Sequence, residues 1–176
     1  MNKIYEDITI VTVLYNSKKS AQSFFSNLGN FNIIVVDNGK NEKVLEKIKG
    51  YKNIKIISKN KNIGYGSAVN FAVKNVTTRF FLILNPDLKI DEKSIVNMYD
   101  ILNQYNDCAI VAPVTRFSKD FYGAFPESNV KHLTLKNALK SRNLVLNSEI
   151  ESEICVDVAK WALLIKVDEF KHISGF

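Results

Sequence analysis

Cysteine and histidine are scarce in this chain, and their scarcity excludes several chemistries at once. Cys108 and Cys155 are the only cysteines, too few and too far apart for a metal knuckle or a disulfide framework. Each sits in a strand-like apolar segment and is expected to be a reduced core residue. The two histidines, His132 and His172, have no partner motif, so each reads as structural or solvated, and no Ser/His/Asp or Cys/His arrangement is visible. Glycine (7) and proline (3) are too rare for a collagenous or low-complexity chain. Long apolar runs are missing too. Phe80 to Leu84 spans only five residues, against roughly 20 needed to cross a bilayer. The N-terminus carries Lys3, then Glu6 and Asp7, then an apolar run ending at Asn16 without a small-residue cleavage site, which is wrong for a signal peptide. A cytoplasmic location is expected.

Charge is present with a bias. Lys and Arg number 24 against 18 Asp and Glu, a net +6, which suits an anionic partner: nucleic acid, a phosphorylated small molecule or an anionic membrane. The basic residues are scattered and form no Arg-rich or aromatic-interleaved stripe, so nucleic acid is not expected. At 176 residues one domain with an ordinary core is the default.

Strand and helix patterns alternate along the first two thirds of the chain. Ile8 to Tyr15 is apolar and β-branched, and Ala21, Phe24, Phe25 and Leu28 follow at helical spacing with Gly29 as the stop. The unit recurs as Ile33 to Val36 with the Val44, Leu45 and Ile48 helix, and again as Ile54 to Ile57 with the helix of Ala68, Val69, Ala72, Val73 and Val76. Phe80 to Leu84 and a helix from about Asp91 form a fourth unit, and Cys108 to Ala112 a fifth strand. Short apolar strands alternating with single amphipathic helices predict an α/β fold with a mainly parallel sheet covered by helices.

Past Pro113 the rhythm is lost. Residues 114 to about 130 are irregular and aromatic-rich. Lys131 to Leu146 is expected to be a helix, either a solvated surface helix or a foot on an anionic membrane. Ile154 to Lys166 is strand-like, Asp168 opens a short helix through Ile173, and the sequence stops at Ser174-Gly175-Phe176. A domain rarely ends on such a pair, because a terminal Phe needs something to pack on. Truncation is the expectation.

In open α/β sheets, ligands bind beyond the carboxyl ends of the strands. Here the first four strands are followed by Tyr15-Asn16, Asp37-Asn38, the loop Lys59 to Gly66, and Asn85-Pro86-Asp87. All are polar, and their convergence predicts a site at that edge. Asp87, just past a buried strand, can reach a hard divalent cation; it can equally be a turn residue. Asp37 can accept hydrogen bonds from a ribose or base, or form an Asx turn. The glycines of Asn62-Ile63-Gly64-Tyr65-Gly66 lead into a helix and let backbone N–H groups approach a phosphate. The third glycine of a dinucleotide fingerprint is missing, and so is a Walker loop, which disfavours NAD, FAD and ordinary ATPase chemistry.

As a set, ITIVTVLYNS, IIVVDNG, NKNIGYGSAVNFAV and FFLILNPDL resemble, in order and spacing, the N-terminal region of family 2 glycosyltransferases of the GT-A fold, notably the rhamnosyltransferase-like branch. The resemblance covers about residues 8 to 113. It implies a Rossmann-like nucleotide-diphospho-sugar transferase, with 1–113 as the nucleotide-sugar-binding half and 114–176 as the start of an acceptor-side region within one domain. Tyr15 and Asn16 match residues beside the nucleotide base, and Asp37, followed by Asn38, matches the carboxylate at the base or ribose. Asn62, Gly64 and Asn70 match the loop and helix bordering the nucleotide. Asn85-Pro86-Asp87 matches the Asp-x-Asp-like motif, with Asp87 as ligand to Mg2+ or Mn2+ and Asn85 in place of the first acidic residue.

The implied partners are a UDP- or dTDP-linked sugar and a glycan or lipid-linked glycan acceptor, in cell-surface polysaccharide or glycan synthesis, with peripheral contact at the inner face of the membrane. The implied chemistry is inverting transfer, in which a base takes the proton of an acceptor hydroxyl. Two departures stand out. Lys160-Trp161 occupy positions where the family has small residues, and the general base is expected beyond Phe176, so donor binding without turnover is one expectation. A non-catalytic sugar-nucleotide-binding or interaction module is the alternative. A nucleotidyltransferase is disfavoured, since Tyr15-Asn16-Ser17 stands where a glycine-rich basic loop belongs.

Overall fold

The computed structural model describes residues 3–17, 21–59, 61–113 and 162–176. Every helix and strand below belongs to one compact unit, Met1–Val111 with Trp161–Phe176; of the other unit, Ala112–Lys160, only Ala112 and Pro113 are described. The expected helix over Lys131 to Leu146, Cys155, His132 and the Lys160-Trp161 pair lie outside the described residues.

The chain runs α1 (Lys3–Asp7), β1 (Ile8–Leu14), α2 (Ala21–Asn27), β2 (Asn32–Asp37), α3 (Glu42–Ile48), β3 (Ile54–Ser58), α4 (Tyr65–Val73), β4 (Phe80–Leu84), α5 (Glu92–Gln104), β5 (Ile110–Val111), β6 (Ala162–Lys166) and α6 (Val167–His172). The sheet order is β3-β2-β1-β4-β6-β5. β1, β2, β3 and β4 pair in parallel, whereas β6 is antiparallel to both β4 and β5. The expected mainly parallel sheet is therefore present.

Why the central strands read as unbroken apolar runs is plain from their two faces. All seven residues of β1 and all five of β4 are buried. Successive side chains of a strand point to opposite faces. Ile8, Ile10 and Leu14 pack with Phe24, Phe25, Val44, Ile48, Ile95 and Met98 of α2, α3 and α5. Val11 and Val13 pack on the other face with Ala68, Val69 and Ala72 of α4 and Phe170 of α6. Each fully buried Leu, Ile, Val or Phe contributes about 1.5–3 kcal/mol, so both faces are needed to hold a sheet this small. Register makes the ends of β1, β2 and β3 flush: Leu14 lies beside Asp37, and Asp37 beside Ser58.

Three features differ from the expectation. The helix Lys3–Asp7 was not predicted, being a single turn anchored by buried Ile4; Asp7 accepts from the Tyr99 hydroxyl at 2.6 Å and pairs with Arg79 at 3.4 Å. The fifth strand is only Ile110–Val111, and it lies at the sheet edge with β6 between it and β4. With a partner on one side only, it is short and leaves Ile110 exposed. Cys108 accordingly precedes the strand and is half-buried, where a strand residue in the core was expected.

α6 closes with a Schellman turn. The Gly175 N–H bonds to the Phe170 carbonyl and the Ser174 N–H to the Lys171 carbonyl, both at 3.0 Å, which satisfies two orphan carbonyls of the helix end. Ser174 (φ 66°) and Gly175 (φ 84°) are both left-handed. That turn sends Phe176 back along α4. Its ring meets Phe170 edge-on at 5.2 Å, so the terminal aromatic has a packing partner although it stays 63% exposed.

Candidate functional site

β1, β2 and β3 end level, β4 stops slightly short of them with Ile83 beside Val11, and the polar residues predicted after the four strands follow that one edge of the sheet. Asp37 closes β2 and is buried. Its Oδ1 accepts from Asn41 Nδ2 at 2.6 Å and from the Gly39 N–H at 3.3 Å; among the described residues nothing donates to Oδ2. Asn41 was not singled out from sequence, yet it ties two strand ends together. Its Nδ2 also reaches the Leu14 carbonyl at 3.2 Å, and its Oδ1 accepts from the Ser17 N–H at 2.8 Å. The available signal was an Asn four residues after a strand-ending Asp, at the start of α3.

Asn38 is 3% exposed, and its amide is used within the protein. Nδ2 donates to Asn62 Oδ1 at 3.0 Å and to the Gly64 carbonyl at 3.3 Å, while Oδ1 accepts from the Ile63 N–H at 2.8 Å. Asn62 Oδ1 accepts in turn from the Gly64 N–H at 2.9 Å. Asn38 thus staples the Asn62–Gly64 loop to the end of β2. Gly64 has φ 84° and ψ 158°, a region open essentially to glycine alone. There it caps α4, whose free N-terminal N–H groups face the same edge and favour an anion.

Tyr15 and Asn16 follow β1. Tyr15 is 54% exposed with its ring against Gly39, which leaves a flat aromatic face at the strand ends. Asn16 is left-handed, with φ 48°, a conformation that Asn adopts more readily than most residues. Asn85 and Asp87 follow β4. The Asn85 carbonyl accepts the Leu88 N–H at 3.1 Å, forming a tight turn that leaves Asp87 exposed. Asn85 Oδ1 accepts from the Tyr65 hydroxyl at 3.1 Å, a link between the loop and the turn that sequence did not suggest. Desolvation holds the Tyr65 pKa above the ordinary tyrosine value, so this hydroxyl keeps its proton at neutral pH. Beside the turn a groove is lined by Phe24, Leu28, Pro86, Asp87 and Ile90.

Asn70 departs from the rest. Both ends of its amide are occupied by the Phe176 backbone: Nδ2 donates to the carbonyl at 2.9 Å and Oδ1 accepts from the N–H at 3.0 Å. It holds the Gly175-Phe176 segment against α4, and nothing of its hydrogen-bonding pair is turned to the strand ends. His172, the one described histidine, sits in the last turn of α6, where a cation complements the helix end.

Among the described residues there is no group of three or more His, Cys, Asp or Glu that could hold a metal unaided. What is present is one exposed carboxylate, Asp87, with Asn85 beside it. That donor set fits a hard cation such as Mg2+ or Mn2+, which can bind through one or two carboxylates and complete its shell with water and substrate phosphates. It does not fit a resident structural metal.

The model for the family described as glycosyl transferase family 2 matches residues 9–159 of the chain. The chain belongs to that family. Relatives include a teichoic acid poly(glycerol phosphate) polymerase of Staphylococcus epidermidis, 29% identical over 67% of this chain and 17% of that protein. A low-salt glycan biosynthesis hexosyltransferase of Haloferax volcanii is 27% identical over 61% of this chain and 36% of its own. The chain therefore spans well under half the length of either relative. Among solved structures, a Pyrobaculum calidifontis mannosyltransferase in complex with GDP-Man and Mn2+ superposes with a TM-score of 0.68 at 14% identity, over 97% of this chain and 47% of that one. S. aureus TarS 1-349 in complex with UDP-GlcNAc gives 0.59 at 15% identity, over 95% and 47%. At these identities the likeness shows the fold, the GT-A arrangement of α/β sheet and helices. No helix among the described residues is long and apolar enough to cross a membrane.

Proposed function

We propose that this family 2 chain binds a nucleotide-diphosphate sugar at the carboxyl edge of β1 to β4 and serves transfer of that sugar to a hydroxyl acceptor. The observation that carries this is the shared carboxyl edge of the parallel strands, where Tyr15, Asp37, the Asn62–Gly64 loop and Asn85–Asp87 follow the strand ends and where loop and turn are hydrogen-bonded. In this reading the exposed Tyr15 ring stacks on the base, and the outer oxygen of Asp37 takes a hydrogen bond from base or ribose. The stapled loop and the α4 N-terminus receive the diphosphate.

Asp87 would hold the divalent cation, with Asn85 beside it; when bound, the cation neutralises charge developing on the leaving diphosphate. The remaining work falls to the protein. Asn38 and Asn41 fix the loop and the Asp37 carboxylate before the donor arrives, which lowers the ordering lost on binding. Asn70 contributes by holding Gly175-Phe176 against α4. The family resemblance puts the general base after that Gly-Phe pair, so residues up to Phe176 would serve donor binding and a base following them would serve inverting transfer. General-base catalysis is worth roughly 10²- to 10⁴-fold in rate.

The mannosyltransferase neighbour is in complex with GDP-Man and the TarS neighbour with UDP-GlcNAc, so the base is open and UDP, dTDP and GDP should all be tried. The roles of the two relatives, in teichoic acid and in low-salt glycan synthesis, support a place in cell-surface glycan assembly, for which we propose the inner face of the membrane as the location. Calorimetric titration with each nucleotide diphosphate in Mn2+, in Mg2+ and in chelator tests the reading. Binding of at least one that weakens on chelation, with the metal dependence lost in Asp87→Ala, is expected. Affinity indifferent to chelator would count against it.

A further inference from the structure

We propose that Tyr65 sets the polarity of Asn85, so that the first position of the Asn-Pro-Asp turn presents a hydrogen-bond donor to an oxygen of the nucleotide diphosphate and does not ligate the cation. This rests on the donor-site reading above.

A carboxamide has one acceptor end and one donor end, and fixing either fixes the other. The Tyr65 hydroxyl, 20 residues away in sequence, donates to Asn85 Oδ1 at 3.1 Å. A proton pointed at that oxygen opposes a cation approaching the same atom. The NH2 end of Asn85 has no acceptor among the described hydrogen bonds, and Asn85 is only half-buried, so this end is free to donate outward.

Tyr65 is itself held for the purpose. It is the first residue of α4, directly after Gly64, whose carbonyl accepts both the Ala68 N–H at 3.1 Å and Asn38 Nδ2 at 3.3 Å. The chain of contacts therefore runs from the end of β2 through Asn38 and Gly64 to Tyr65, and across to the turn after β4. Loop and turn are one hydrogen-bonded assembly.

An Asn in place of a carboxylate then has a physical reason. With Asp87 alone on the cation, a second carboxylate is replaced by a neutral donor able to meet the anionic ligand.

The test uses the whole chain, titrated calorimetrically with UDP, dTDP and GDP in Mn2+ and in chelator. Tyr65→Phe keeps the ring and removes the hydroxyl; it should weaken nucleotide binding about three- to tenfold, the usual worth of one such hydrogen bond. Asn85→Asp, although it adds a potential ligand, should weaken Mn2+-supported binding by tenfold or more, since an acceptor now faces an anion. In an Asn85→Ala background, Tyr65→Phe should have almost no further effect, because there is no amide left to orient.

Tighter or unchanged binding in Asn85→Asp would mark the oxygen at this position as a metal ligand and overturn the proposal, as would a Tyr65→Phe loss that persists in full with Asn85→Ala. Metal-dependent binding that ignores Tyr65→Phe sinks the proposal and leaves the donor site standing. Absence of binding to all three nucleotides by the unaltered chain sinks both. Circular dichroism and urea midpoints matching the parent confirm that each variant is folded.

Discussion

Gly175→Ala tests how the Phe176 segment is held. At φ 84° an L-residue is strained by roughly 1–2 kcal/mol. The larger obstacle is space, since an added Cβ would lie 2.5 Å from Asn70 Oδ1, the atom that accepts the Phe176 N–H. Something must separate, and the cheapest motion is release of the segment, because Phe176 is 63% exposed. The damage is then bounded by what docking contributes. Two hydrogen bonds to Asn70 at ~0.5–1.5 kcal/mol each and the Phe170–Phe176 ring pair at ~0.5–1.5 kcal/mol give about 1.5–4.5 kcal/mol. Amide exchange followed by NMR reads this locally. At 1.4 kcal/mol per tenfold, the Phe176 N–H should exchange roughly 10- to 1,000-fold faster. Core amides of β1 and β4 should barely change, because the segment opens without the sheet. Asn70→Ala should match Gly175→Ala at Phe176, and the two together should not add. Unaltered protection at Phe176 in Gly175→Ala would refute the latch.

Other outcomes follow from the same contacts. Asn41→Ala strips the 2.6 Å bond from buried Asp37 and should destabilise the chain by about 1.5–3 kcal/mol, measured by urea unfolding. Thr12 is fully buried and its hydroxyl has no partner among the described residues, so Thr12→Val should raise stability by about 1 kcal/mol; a loss of that size would point to a partner. Asp91 caps α5 by accepting the Ser94 N–H at 2.7 Å, and this bond lowers its pKa in the folded chain. Its contribution is thus complete above the unfolded pKa and lost as pH falls through the lower folded value. The stability gap between the chain and Asp91→Ala should therefore be steady near neutrality and close in acid, as urea midpoints taken from pH 7 to pH 3 would show.

Much of the fold was legible because burial on both faces writes itself into sequence. Phe80–Leu84 was readable to the residue, since every position contacts apolar neighbours and any polar residue would have been costly. Helices α2 to α5 announced themselves by spacing and by caps such as Asp91. Pairing across long separations left no local mark. Nothing in Ala162–Lys166 says that it runs antiparallel between β4 and β5, and α1 is too short to show a period. At the candidate site, the residues just past the strands were found because topology puts them there. The connections among them were not. Asn41, Tyr65 and the commitment of Asn70 to Phe176 are matters of side-chain direction, which a one-dimensional pattern does not carry.

The frame around this edge is assembled from carboxamides. Asn38 fastens the loop, Asn41 fastens Asp37, Asn62 closes the turn into Gly64, Asn70 grips the Phe176 backbone and Asn85 meets Tyr65. None of these side chains has a proton to gain or lose between acid and alkaline conditions. Together they bring oriented dipoles to the edge without adding net charge to it.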